Sequence, residues 1–207
     1  MKRVPWILCL LLAAACSHTQ LSGAGATSVY EKEQLKAPED KARIVFVQNR
    51  YEDRKLVFTV FESDRRCVAV VGGRQAQVLD VFPGPYIFFI TAYEQTRRIE
   101  LYPEAGRTYF IRLYTVEKPL GSAAEITLVR RASEEHRRLR YHLEGANLSY
   151  AIDNKDCYAR PLNERERRTN RRLNEGNAEW NNGDKVYRDR FTLIEGDGLT
   201  HEDIDRF

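Results

Sequence analysis

The chain has 207 residues, with 33 Lys and Arg against 30 Asp and Glu and a formal net charge of +3 at pH 7. Setting aside residues 1–15, which read as a removable leader, takes away Lys2 and Arg3 and leaves 31 basic residues against 30 acidic ones, so net charge names no partner. The remaining length of about 190 residues allows one core of ordinary size with something left over.

The leader opens with Lys2 and Arg3, continues through an uncharged apolar run from Val4, and ends on the small residues Ala13, Ala14 and Ala15. That is the layout of a secretory signal peptide. A bilayer-spanning helix needs roughly 20 apolar residues, and this run stops short of that at the polar Ser17-His18-Thr19-Gln20. Cys16 directly after Ala13-Ala14-Ala15 resembles the lipobox of bacterial lipoproteins, with Ala13 standing where that family usually has leucine. The resemblance implies a diacylglycerol on the Cys16 sulfur and a further acyl chain, such as palmitate, on its freed amine. Several chains are needed because a single one holds a protein only marginally. Ser17, in place of the aspartate of inner-membrane retention, resembles the outer-membrane sorting pattern and implies a periplasm-facing protein of a Gram-negative envelope. Ordinary cleavage after Ala15, with Cys16 unmodified, is the alternative.

Four cysteines are present. Cys9 leaves with the leader and Cys16 is assigned to lipid, which leaves Cys67 and Cys157 in an oxidising compartment, where a disulfide between them is expected. A buried strand thiol at Cys67 is the alternative.

Residues 16–40 are small and polar after the cysteine and read as a lipidated flexible tether. From Lys41 eight short apolar, β-branched and aromatic runs follow: "ARIVFVQ", "KLVFTVFES", "CVAVV", "QAQVLDVF", "YIFFITAY", "RRIELY", "TYFIRLYTV" and "EITLVRR". This spacing predicts an antiparallel all-β domain. Gly72-Gly73 reads as a two-residue hairpin turn, and Pro83-Gly84-Pro85 and Pro103-Glu104-Ala105-Gly106 read as further breaks between strands. The run Ile44-Val45-Phe46-Val47 is apolar at every position, so this strand should be covered on both faces. Residues 133–145 supply a cover: Ser133 as N-cap, Glu134 and Glu135 in the first turn, Leu139 and Leu143 on one face, and Gly145 at the stop. In "TYFIRLYTV", alternation places Tyr109, Ile111 and Leu113 inward and Phe110, Arg112 and Tyr114 outward, with Arg112 in water.

The pieces "DVFPGPYIFFITA" and "EAGRTYFIRL", in that order behind a lipobox, resemble an uncharacterised family of bacterial envelope lipoproteins built on a single transthyretin-like or PEGA-like β-sandwich domain. The resemblance covers residues of about 42–143 and implies a fold and a location, with no catalytic residue to carry over. Together with the patterns above, it gives a mainly β chain. The expectation is an antiparallel β-sandwich of about seven or eight strands with one C-terminal helix and a charged tail. The divisions are a signal peptide at 1–15, the tether at 16–40, the sandwich with its closing helix at 41–147, and a charged extension at 148–207.

In the extension, Pro161 near a start and Gly176 after an end bracket a helix that is polar all round, hence solvated or marginal. Arg160, Arg165, Arg167, Arg168, Arg171 and Arg172 invite a nucleic-acid reading, but Glu164 and Glu166 interrupt them and no aromatic residues interleave. No nucleic-acid partner is expected; an envelope protein, an anionic lipid or lipopolysaccharide is, beside the membrane reached through the anchor, with a solvated face as the default. His18, His136, His142 and His201 show no zinc spacing. An EF-hand aligned on Asp197-Gly198 fails, with Leu193 at its first ligand position and Asp203 at its last. There is no G-x-S-x-G elbow, and nothing singles out Asp153 and Asp156 among many carboxylates. No catalytic residue, cofactor or metal is therefore assigned. A non-enzymatic binding or structural module is expected, with a small hydrolase or transferase acting on envelope material as the alternative.

Overall fold

A computed structural model describes residues 31–49, 56–92, 95–118, 121–151 and 162–207. All eight apolar runs form strands: β1 (Ala42–Gln48), β2 (Phe58–Glu62), β3 (Cys67–Val71), β4 (Gln75–Val81), β5 (Tyr86–Ala92), β6 (Gln95–Leu101), β7 (Thr108–Lys118) and β8 (Gly121–Val129). Two more follow, β9 (Asn147–Tyr150) and β10 (Thr192–Leu193). The helical segments are a 3-10 turn at Lys32–Leu35, then α1 (Glu134–Arg137), α2 (Leu139–Leu143), α3 (Leu162–Asn182), α4 (Lys185–Arg190) and α5 (His201–Asp205). The described chain is mainly β, in two five-stranded sheets: a first ordered β8-β7-β1-β4-β9 and a second ordered β10-β6-β5-β2-β3.

Both sheets are mixed, which corrects the expectation of antiparallel pairing throughout. β1 runs parallel to β7, β4 to β9 and β10 to β6. Turn residues specify only strands that are neighbours in sequence, whereas these three pairs join strands far apart in the chain. The turn signals themselves mark passages between layers. Gly72-Gly73 leads from β3 in the second sheet to β4 in the first, so it closes no hairpin, and the positive φ there, 59°, belongs to Arg74. Residues 82–85 cross back to the second sheet and residues 102–107 return to the first.

The inner faces of the sheets share one apolar cluster that includes Ile44, Phe46, Phe58, Val60, Phe88, Ile90, Tyr109, Ile111 and Leu113. A second cluster lies on the outer face of the first sheet: Val45, Val47, Val78 and Phe110 meet Leu35, Leu139, Leu143, Leu199 and Ile204. β1 is buried at all seven positions because it serves both clusters. Each such side chain contributes about 1.5–3 kcal/mol relative to exposure. The expected covering helix forms as two pieces, α1 and α2. Ser133 caps the first by accepting from the His136 amide, and Gly145 follows the second at φ 73°, a left-handed stop.

The sandwich-to-extension boundary expected between 147 and 148 falls inside β9. β9 and the residues beyond it supply a strand to each sheet and three helices, α3, α4 and α5, where a solvated or marginal helix in a charged extension was expected. α3 runs past Gly176 to Asn182 and lays Thr169, Arg172, Leu173 and Trp180 inward. Gly176 is the point of closest approach: a Cβ there would stand 3.0 Å from both Phe89 of β5 and Thr96 of β6. The same glycine that reads as a helix stop in sequence is a contact site in the fold.

Candidate functional site

The polar side chains that the fold draws together sit mainly on the outer face of the first sheet, where the two ends of the described chain meet. Lys32 donates to the main-chain oxygens of Asp205 (2.9 Å) and Phe207 (2.7 Å), and Lys36 pairs with Asp205 at 2.8 Å. His201 Nε2 donates to the Ala37 carbonyl at 2.8 Å. The 3-10 turn is also tied to the strands: Thr108 donates its hydroxyl to the Leu35 carbonyl at 2.6 Å, and Arg43 donates to Gln34 at 2.6 Å while forking onto both oxygens of Asp80 at 2.7 and 2.8 Å. α5 starts at a capping box in which Thr200 and Asp203 satisfy each other's amides. Burial opposes ionisation of Asp203, but bonds from Thr200 and the Arg131 guanidinium outweigh it and hold the carboxyl below its ordinary range. The Lys36 ammonium, bonded to Asp205, holds that exposed carboxyl low as well. This clasp fixes the first described residues to the last ones.

A second polar group lies under α1 and α2. His142 is 2% exposed, and its Nε2 is 2.8 Å from Glu135 Oε2, which also accepts from Arg112 Nη1 at 3.2 Å. Burial, reinforced by the Arg112 charge, pushes the His142 pKa below its ordinary 6.5, so the ring is neutral at pH 7 and Nε2–H donates to the carboxylate. Nδ1 then has no hydrogen-bond partner among the described residues. Arg112 is not in water as expected: its side chain is 18% exposed, pairs with Glu135 and stacks 4.2 Å over Tyr114. A carboxylate–imidazole pair is half of a nucleophile-activating set, but among the described residues no hydroxyl or thiol bonds to the buried Nδ1. Its role here is to hold the helix pair on the sheet.

The remaining sequence candidates disperse. His136 Nδ1 accepts from the Ala132 amide at 3.0 Å. Leu193 is buried in the inner cluster, Asp197 accepts from the Ile194 amide at 2.9 Å, and Asp203 pairs with Arg131 at 2.8 Å, so the EF-hand positions serve separate structural roles. Among the described residues no three His, Cys, Asp or Glu side chains converge as a metal site. Arg167, Arg168 and Arg171 are exposed on α3, whereas Arg172 is buried. The Cys67 sulfur, at the start of β3, is in a disulfide. Cys9, Cys16, His18, Asp153, Asp156, Cys157 and Arg160 lie outside the described residues, and so does the side chain of Arg165.

Sequence reasoning missed Arg112, Glu135 and the clasp. One signal was present for the clasp: Thr200 with Asp203 three positions later is a capping-box spacing, here at the head of α5. No protein-family model matches the chain, and no curated protein matches it either.

Proposed function

We propose that the protein is a lipid-anchored, periplasm-facing module of a Gram-negative outer membrane, held through Cys16, which acts by binding or structural contact and not by catalysis. The observation that carries this reading is Cys16 placed directly after Ala13-Ala14-Ala15 at the end of an apolar run too short to span a bilayer. The clasp supports it, because a chain hung by its N-terminal side benefits from a fixed junction there. A β-sandwich of the envelope-lipoprotein kind is the finer fold we infer, and the inner cluster drawn from both sheets supports it. We pair the Cys67 sulfur with Cys157, a pairing read out by peptide mapping of the unreduced protein.

The partner on this reading is an envelope protein, an anionic lipid or lipopolysaccharide. The test is fractionation of a Cys16→Ser variant. On this proposal it leaves the outer-membrane fraction and accumulates as uncleaved precursor or soluble protein; retention in the outer membrane would contradict the anchor. Crosslinking in intact cells, followed by identification of what copurifies with the unaltered protein, identifies the partner.

A further inference from the structure

One end of the molecule presents large apolar side chains from three separate turns. Phe82 is 62% exposed in the passage from β4 to β5, Tyr102 41% exposed after β6, and Ile194 57% exposed after β10. Backbone pairing places these turns together. Ala42 pairs with Val81, Tyr86 with Leu101, and Leu193 with Leu101. The Lys41 carbonyl accepts from Gly106, the Tyr102 amide donates to Leu193, and the Gly196 amide donates to Glu104. Phe82 is followed by Pro83-Gly84-Pro85, a tip with no charge and with prolines that offer no amide to water. The 3-10 turn that receives the N-terminal segment is bound at this same end, to Arg43 and Thr108, the residues that pair where β1 and β7 begin.

We infer that this end is a membrane-contact surface, on which Phe82, Tyr102 and Ile194 enter the headgroup boundary of the bilayer that holds the anchor. The inference rests on the anchor at Cys16. Fifteen residue steps, with 14 residues between, lead from Cys16 to Glu31, a span of at most about 50 Å even when fully extended, so the end that receives them stays within that distance of the bilayer. A tether of this length gives an effective concentration in the mM range, at which a few partly exposed apolar side chains suffice for contact. Aromatic side chains with a polar tip are suited to that boundary. Lys41, whose ammonium lies 5.1 Å from the centre of the Phe82 ring, is placed to reach lipid phosphate. Glu39, Asp40 and Glu195 are exposed at the same end, which selects a zwitterionic surface over a strongly anionic one.

The test uses the full mature lipidated protein in phosphatidylcholine vesicles whose acyl chains carry bromine, a quencher confined to the bilayer. After removal of Trp6 with the leader, Trp180 is the one tryptophan left, and it is 7% exposed. Phe82→Trp and, separately, Ile194→Trp place a reporter on the surface, and Tyr141→Trp places one on α2 near Asn49, beyond the far end of β1. Both surface reporters are expected to lose about half of their emission, and the Tyr141→Trp protein no more than the parent. Surface reporters quenched by aqueous iodide and not by bromolipid would overturn the inference, as would reporters shielded from both, which would mean that a protein covers this end, a second copy included. Flotation of the same samples separates the two proposals: a protein that floats with unquenched reporters keeps its anchor and loses this surface, whereas one that does not float loses both.

Discussion

The outer faces of the two sheets are covered by different physics. On the first sheet, Leu35, Leu139, Leu143 and Ile204 come from three short segments and bury an apolar patch around Val45, Val47 and Phe110. On the second, one 21-residue helix, α3, lies across β5 and β6, with polar contacts beside the buried Leu173 and Trp180. Arg97 pairs with Glu179 at 2.6 Å, Arg98 donates to Asn177 at 2.8 Å, and the Arg98 guanidinium lies 4.9 Å over the Trp180 ring. Burial and the neighbouring Glu179 charge push the Tyr187 hydroxyl up to about 12. Apolar burial is non-directional and strong per residue, while a partly exposed ion pair contributes little after screening. The apolar patch of the first face should therefore tolerate salt and fail when side chains are shortened, whatever the ion pairs of the clasp and of Arg112 beside it add. The second should respond to ionic strength and barely notice the loss of one charge.

The largest expected effect lies in the layer both faces depend on. Ile111→Asp places a carboxylate with no partner between the sheets, a cost of several kcal/mol against a total stability of about 5–15 kcal/mol. Soluble, natively melting Ile111→Asp protein would show that the inner cluster is misassigned. On the first face, Leu139→Ala removes a side chain with 0% exposure and should cost about 2–5 kcal/mol by thermal or urea melting. A loss under about 0.5 kcal/mol would mean that α2 adds no stability.

Acid should separate the faces next. The His142 pKa is lowered on folding, so the unfolded chain binds the extra proton first and stability falls as pH drops below the ordinary 6.5 toward the folded value. His142→Gln should flatten the slope that sets in as pH falls below about 6.5 in urea midpoints. An unchanged slope would remove the imidazole from the account. The smallest effect belongs to the second face: Glu179→Ala should cost about 0.2–1 kcal/mol and less at high salt. A loss above about 2 kcal/mol there would put α3 on the same footing as the apolar cover.

The same contrast explains what was legible beforehand. Continuous apolar residues in β1 announced a strand covered twice, and the Leu139–Leu143 spacing announced one of its covers, because burial of that kind is written in periodicity. α3 reads as solvated in sequence because much of its buried face is Arg172, Thr169 and a glycine, none of which raises apolar content, and because ending it at Gly176 leaves out the buried Trp180. Strand order was illegible for a different reason. Gly72-Gly73 and Pro83-Gly84-Pro85 report that the chain turns, but not whether it returns to the same sheet or crosses to the other. The contact of Arg112 with Glu135 and His142 was equally hidden, since alternation alone sends Arg112 to solvent and only the docked helix pair takes it back.

The central claim concerns how the molecule is held, and the mass of the N-terminal peptide of the mature protein tests it directly. The account predicts that this peptide begins at Cys16 and carries a diacylglyceryl group on sulfur and an acyl chain on its amine. A peptide that begins at an unmodified Cys16, or that leaves Cys16 internal to an uncleaved chain, would contradict it.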